Sequence, residues 1–331
     1  MLPPGIFCNF AAVMDVISMP LWAWILFYAL VIVMLYADLK LFGRKGQHEV
    51  SIGEALKMTA VWIIVSLIFC GGIGFYEGSG KAMEFLAGYL IEKSLSMDNL
   101  FVFLMLFSFF GIQRKYQHEV LFWGIFGALV LRSIFIFAGA AMVQQFEWIL
   151  GIFGVFLIYT GIKMFSHKDD ESVDPSKNIF VKLFKKFFPV TDQMHEDKFF
   201  IIEQGKRLAT PLFIALLVIE TTDVAFAVDS IPAVFSVSRD PFIVLTSNIF
   251  AILGLRALYF ALAAIAKYFA YLKYGLGIIL SFVGVKMLLE VLPAPLHYEV
   301  RTPVSLLIIF GVLVLSMLAS YVATLYSRKR Q

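Results

Sequence analysis

The stretch Glu220-Thr221-Thr222-Asp223-Val224-Ala225-Phe226-Ala227-Val228-Asp229-Ser230-Ile231-Pro232-Ala233 sets three carboxylates inside an apolar run that extends from Pro211 to Val234. A run of that length crosses a bilayer as one helix, which takes about 20 residues. An ionised acid at the bilayer centre costs at least about 2.5 kcal/mol on insertion scales. The stretch is therefore either the core segment of an unusually greasy soluble domain or a membrane helix whose acids have a task. The rest of the chain decides between the two.

Of the 331 residues, 60% are hydrophobic and 15% charged. Soluble domains average about 45–50% apolar and about 25% charged. A soluble fold of this size has no room for 35 phenylalanines. Working outward from Pro211–Val234, eight further runs complete a set of nine spans: Leu21–Leu39, Ala60–Tyr76, Met83–Phe109, Val120–Met142, Ile149–Phe165, Phe242–Ala264, Tyr274–Leu292 and Val304–Leu325. The fold class expected is an all-α polytopic membrane protein, because a helix satisfies its own backbone in lipid. The runs are too long and too continuously apolar for a barrel. The third and sixth spans are polar in the middle, and a tilt or a break is expected there.

Orientation follows the basic residues. Lys40–Lys57, Gly111–Glu119, Ser166–Thr210, Ala266–Lys273 and the tail from Ser327 to Gln331 together hold 19 of them. The segments on the other side hold three, Lys81, Arg239 and Arg301. The N-terminus is thus expected in the periplasm and the C-terminus in the cytoplasm of an inner membrane, as an odd number of spans requires. Residues 1–20 carry no basic n-region and are interrupted by Asp15, so they read as an extracytoplasmic segment rather than a cleavable signal. After it come two spans (21–80), a first repeat (83–165), a cytoplasmic loop (166–210), a second repeat (211–292), and a last span with a basic tail (304–331). Cys8 and Cys70 are too few for a disulfide framework. The net charge of +3 fits anionic lipid as partner and not nucleic acid. Lys182, Phe184, Lys185, Lys186, Phe187 and Phe188 fit a short amphipathic piece on the membrane surface.

The chain also repeats itself. Glu92-Lys93-Ser94-Leu95-Ser96-Met97-Asp98-Asn99 and Asp223-Val224-Ala225-Phe226-Ala227-Val228-Asp229-Ser230 share two acids six positions apart, followed by a small polar residue. Downstream come Gly127 with Arg132 and Gly254 with Arg256, then Gly161-Ile162-Lys163-Met164 and Gly284-Val285-Lys286-Met287. Three matches in one order predict a duplication. The copies lie an odd number of spans apart, so spans 3–5 and 6–8 are expected as inverted repeats, the arrangement by which secondary transporters build a midplane site. A duplication kept only for a stable bundle is the competing reading.

Six carboxylates fall within or near the spans: Asp38, Glu92, Asp98, Glu220, Asp223 and Asp229. Lys93, Arg132 and Arg256 are the candidate charge partners, and Lys163 and Lys286 are placed to snorkel. Three acids remain after pairing. Such a surplus is relieved by binding protons or a cation, and doing one in exchange for the other is proton-coupled cation transport. Glu92 and Asn99 share a helical face, as do Glu220 and Asp223. Asp98 and Asp229 lie about a third of a turn off their upstream acids. Local unwinding, favoured near Asp229 by Pro232, would bring them in and free carbonyls as ligands. Ser230, Asn248, Ser96 and Thr222 add oxygen donors. No His or Cys pair lies in the spans, and oxygen donors suit Mg, Ca or Mn rather than Zn or Cu(I). Met97 beside Asp98 adds a polarisable atom if it faces the site, though packing is the commoner use of such a residue.

At these residues the sequence resembles a known family. Tyr89-Leu90-Ile91-Glu92 through Asp98-Asn99-Leu100-Phe101-Val102, and Glu220 through Ala233, are similar to the two signatures of the TerC/Alx family of bacterial membrane proteins. The likeness runs on through Thr246-Ser247-Asn248-Ile249-Phe250-Ala251-Ile252-Leu253-Gly254-Leu255-Arg256-Ala257 and Leu272-Lys273-Tyr274-Gly275-Leu276, and back to Tyr36-Ala37-Asp38-Leu39. It covers roughly residues 22 to 325 and is nearest the Alx branch. The resemblance implies export of Mn2+ from the cytoplasm, with Glu92 and Asp98 as the first acidic pair and Asp223 and Asp229 as the second. Glu220 and Asp38 match further family acids, and Asn99, Ser230 and Asn248 match polar positions. Tellurite resistance and redox modulation are also attached to the family. An oxyanion suits a carboxylate pocket poorly, and the sequence has no paired thiol, haem ligand or flavin motif.

The resulting expectation is a divalent-cation exporter with Mn2+ as cargo, no resident cofactor and protons as the exchanged ion. Asp98 and Asp229 are expected as central metal ligands, with Asn99, Ser230, Glu92 and Asp223 around them and Glu220, Asp38 and Asn248 along the ion and proton path. A scaffold that hands metal on or assembles a stress-response complex, using 166–210 as docking surface, is the alternative. No nucleophile–base pair marks an enzyme.

Overall fold

A computed structural model describes residues 19–43, 52–146, 148–166, 179–191, 193, 195, 198–203, 205–265, 272–292, 298 and 300–328; the side chains of 41–43, 52, 98, 101, 166, 262–265, 272 and 324–328 are not part of that description. The N-terminal segment expected at 1–20 thus falls almost wholly outside the described residues, as does much of 166–210. Helices dominate: α1 (Leu21–Gly43), α2 (Ile52–Tyr76), α3 (Ser79–Phe109), α4 (Arg114–Gln145), α5 (Ile149–Ser166), α6 (Ile179–Phe187), α7 (Pro211–Phe235), α8 (Pro241–Leu253), α9 (Leu255–Ile265), α10 (Leu272–Val291) and α11 (Thr302–Arg328). A two-stranded antiparallel hairpin, β1 (Phe200–Glu203) and β2 (Lys206–Ala209), pairs Phe200 with Ala209 and turns at Gly205, whose φ of 75° suits glycine. The all-helical expectation holds for the spans, and among the described residues this small hairpin is the one sheet beside them.

Seven helices among the described residues are long and apolar enough to cross a membrane, with α8 and the start of α9 counted together. The apolar part of α5 is shorter, at Ile149–Phe165. At 31 residues α3 is long enough, but it carries Lys81, Glu84, Glu92, Lys93 and Asp98. The chain is a multi-pass integral membrane protein. Its outer surface carries large apolar side chains, with Leu21, Ile32, Ile68, Leu307 and Leu315 all largely exposed, while Asp38, Glu92, Lys93, Arg132, Asp223, Arg256 and Lys286 are buried. That is the inverse of a soluble fold and what a lipid solvent selects.

Of the tilt or break expected in the third and sixth spans, no break is found. Both α3 and α7 run unbroken through their polar middles, and Pro232 falls in the last turn of α7. Near a helix end a proline removes only one ladder bond, so the helix survives. The discontinuity lies in the seventh span, where Gly254 separates α8 from α9. A Cβ at 254 would lie 2.8 Å from Lys93 Nζ and 3.3 Å from Trp62 Cβ, so a larger residue there would displace the tip of that lysine.

Every residue of α8 is buried, with α1 to α4 packed around it. Trp24, Phe27, Phe69, Phe85, Phe242 and Phe250 form an aromatic cluster at its start, with ring centroids between 4.6 and 6.4 Å apart along the chain of contacts. The helices of residues 79–166 pack on those of 211–291 in reciprocal fashion: α3 on α8, α4 on α7, and α5 on α10. The α5–α10 seam is reciprocal to the atom. A Cβ at Gly154 would sit 2.9 Å from the Gly284 carbonyl, and one at Gly284 2.6 Å from that of Gly154. Gly161 and Gly277 repeat the relation at 2.6 and 2.9 Å. The two helices cross antiparallel with backbones touching, as small residues permit in membranes.

Candidate functional site

Helical spacing assembles the site. On α3, Glu92 and Ser96 are four apart and face one way, and Ser96 Oγ donates to Glu92 Oε1 at 3.0 Å. On α7, Asp223 and Ser230 are seven apart and share a face. Into the space between those helices α4 sends Arg132, which is fully buried. Its Nε and Nη2 grip Asp223 as a fork, at 3.0 Å to Oδ2 and 2.8 Å to Oδ1. Nη1 donates to Glu92 Oε1, and lies 3.3 Å from Ser230 Oγ and 3.4 Å from Asn248 Oδ1. Asn248, on α8, completes the ring by donating from Nδ2 to Glu92 Oε2 at 2.8 Å. Four helices thus converge on one guanidinium.

The electrostatic consequence is simple. Two buried carboxylates need a cation, and Arg132 supplies a single positive charge against two acids. One turn before Asp223, the Glu220 carboxylate presses on Gly127 of α4, where a Cβ would overlap it. Its Oε2 is buried and has no hydrogen-bond partner among the described residues. The cluster and its neighbour therefore hold more acid than base. Among the described residues no three of His, Cys, Asp or Glu gather as a ready metal cage. The centre is occupied by a side-chain cation.

The other expected residues lie around this centre. Asp229 points to α5, accepting from Thr160 Oγ1 at 3.3 Å, rather than into the cluster. The reason is the unbroken helix: with α7 wound through residue 229, Asp229 stays a third of a turn away from Asp223. The Asp98 side chain lies outside the described residues. Asn99 is buried on α3 but makes no hydrogen bond to the cluster among the described residues. Asp38 and Arg256 form a separate buried pair between α1 and α9, at 2.9 Å. Lys93 takes no carboxylate among the described residues; its Nζ donates at 3.1 Å to the carbonyl of Ala251, near the C-terminal end of α8. A half-helix ending inside the bundle exposes carbonyls and the negative end of its dipole, and the ammonium satisfies both. Thr222 bonds the Val218 carbonyl of its own helix at 2.7 Å.

Sequence reading missed two features. Gly127 and Thr160 stand beside repeat landmarks, yet nothing in their spacing names Glu220 or Asp229 as neighbours. The second is a cavity of about 810 Å³ where Lys81, Glu84, Arg239, Asp240, Lys286, Glu290 and Arg301 meet. All three basic residues of the sparsely charged side line it. Ser238 Oγ donates to Glu84 at 2.6 Å, and Lys81 lies 3.1 Å from Glu84 and 3.3 Å from Asp240. Lys286, instead of snorkelling to lipid, is buried and donates at 2.6 Å to the Ser236 carbonyl at the end of α7. These contacts fasten the α7–α8 turn to α3 and α10.

The comparisons with known proteins agree with one another. A family model described as the integral membrane protein TerC family matches residues 77–330. A Photorhabdus laumondii protein named "Putative membrane-bound redox modulator Alx" is 48% identical over 284 residues, covering 83% of this chain and 88% of its own. Its Escherichia coli K12 namesake is 46% identical over 313 residues, 92% of this chain and 95% of that one. The Myxococcus xanthus relative, named only as an uncharacterised membrane protein, is 47% identical over 300 residues, 90% and 92% of the two chains. No solved structure matches.

Proposed function

This chain belongs to the TerC family of integral membrane proteins, and from that premise we propose that it exports a divalent cation, Mn2+ first, from cytoplasm to periplasm across the inner membrane. The observation that carries the reading is Arg132. A membrane protein that brings Glu92, Asp223, Ser230 and Asn248 of three other helices around a buried positive charge has built an oxygen-lined cation site. In the proposed cycle a divalent ion takes the place of the guanidinium, and two carboxylates neutralise it. Oxygen donors suit a hard cation. The family resemblance is what puts Mn2+ ahead of Ca2+ and Mg2+.

With the N-terminus outside, α3 runs inward and α7 outward. Asp98 then lies about 9 Å to the cytoplasmic side of Glu92, and Asp229 about 9 Å to the periplasmic side of Asp223, six residues at helical rise. The ion meets Asp98, passes the central pair, and leaves by Asp229 towards the charged cavity. Glu220, unpartnered at Oε2 and one turn from Asp223, carries the exchanged proton. The reciprocal packing of 79–166 on 211–291 supports alternating access by one half rocking on the other.

The test is Mn2+ uptake into proteoliposomes under an imposed pH gradient. Wild type takes up Mn2+; Asp98→Asn/Asp229→Asn and Glu92→Gln do not. Absence of uptake by folded wild type, in either gradient direction, overturns the reading in favour of a metal-handling scaffold. Uptake indifferent to the pH gradient at fixed membrane potential removes proton exchange alone. The relatives' name points to redox chemistry. Cys70, half-buried on α2, bonds the Ala82 carbonyl at 3.4 Å. Replacing Cys8 and Cys70 by serine leaves uptake unchanged on our reading, and its loss would favour the redox one.

A further inference from the structure

We propose that α6 is a membrane-surface anchor whose outward apolar face beds into an anionic leaflet. At 100° per residue its nine residues divide into three faces. One is held by the protein: Val181 is 3% exposed, and the Phe184 ring lies 5.1 Å from that of Phe213, in the first turn of α7. Phe200 of the hairpin stacks on Phe213 from a second side, at 4.5 Å, and Phe188 closes the knot against Phe184 and Phe200. The second face carries Ile179, Leu183 and Phe187, four residues apart, with Phe180 beside Phe187, exposed at 72%, 54%, 76% and 55%. The third carries Lys182, Lys185 and Lys186, all exposed.

Charge complementarity and position select the occupant. In the sequence of 179–209 those three lysines are joined by Lys198, Lys206 and Arg207, against Asp192, Glu196, Asp197 and Glu203, and every charge on the helix itself is basic. An apolar stripe flanked by lysines is the chemistry of helices that lie in the plane of an anionic interface. The anchoring ring, Phe213, stands two residues after the start of α7, so α6 is held within a helical turn of the point where the chain enters the span. A leaflet of anionic phospholipid is the partner that this place and charge fit. Attraction of that kind is screened by salt.

The experiment uses the full chain with Cys8→Ser, Cys70→Ser and Leu183→Cys, carrying an environment-sensitive fluorophore at position 183. It is reconstituted in vesicles of phosphatidylcholine, alone or mixed with phosphatidylglycerol, with and without nitroxide-labelled lipid. In the mixed vesicles the emission shifts to the blue and the nitroxide lipid quenches it. Both effects weaken severalfold in phosphatidylcholine alone, in high salt, and in the Lys182→Gln/Lys185→Gln/Lys186→Gln variant, whose exposed substitutions leave folding intact. A label at Phe187→Cys reports independently should Leu183→Cys disturb the helix. Emission typical of water in every vesicle overturns the proposal. Self-quenching that grows with protein-to-lipid ratio seats a second copy on this face and also overturns it.

Discussion

Arg132 makes charge-assisted bonds to Glu92 and Asp223 at full burial, and a guanidinium so placed is worth most when it is removed. Breaking a buried ion pair from one side costs about 3–5 kcal/mol, because the abandoned charge stays inside. Arg132→Met should therefore lower the melting temperature in detergent sharply, and Arg132→Met/Glu92→Gln/Asp223→Asn, which leaves neither acid charged, should regain much of the loss. Equal damage in both variants would mean that the arginine acts by packing alone. Arg132→Lys keeps the charge and loses the fork on Asp223, so it should fall between the two. The sequence named every member of this cluster, since acids and an arginine inside apolar runs stand out. It did not reveal that Asp223, rather than Asp229, faces the arginine beside Glu92. Facing depends on whether α7 stays wound at residue 229, and a proline three residues later argued for the opposite.

Among the elements, α5 and α10 touch through backbone. Alanine at Gly284 meets the Gly154 carbonyl at 2.6 Å, and alanine at Gly161 meets the Gly277 carbonyl at the same distance. Each should destabilise by about 1–3 kcal/mol, the usual cost of overpacking. Gly72→Ala, in the interior of α2 with nothing within 4 Å, should be neutral or mildly stabilising. Thermal melts of the three variants check the contrast. The α7–α8 turn offers a pH test. Burial alone would lower the Lys81 pKa, but Asp240 and Glu84 outweigh it and raise it above the ordinary 10.5. A raised pKa gives stability that is complete below 10.5 and drains as pH climbs through the folded value. Wild type should thus lose more melting temperature on alkalinisation than Lys81→Met, which starts lower; parallel curves would mean that the lysine contributes nothing. Helix existence was legible from runs of apolar residues. The break at Gly254 was not, because a glycine in an apolar run looks the same whether or not a distant lysine fills the space beside it.

At the scale of the molecule, the lopsided basic residues predict which face each turn reaches. With Cys8 and Cys70 replaced by serine, Arg239→Cys should react with a membrane-impermeant thiol reagent in intact spheroplasts. Lys206→Cys should react only after the membrane is opened, and the reverse pattern would invert the orientation. The architecture itself was readable because lipid leaves few options to a chain this apolar, whereas the α6–hairpin knot depends on ring contacts among Phe184, Phe200 and Phe213 that no periodicity encodes. The guanidinium at the centre has a further consequence for how the protein folds. A pocket of bare acids would need a bound ion to hold its shape. If the proposed cycle holds, a chain that carries its own stand-in folds without metal, and a chelator should leave its melting temperature in detergent unchanged.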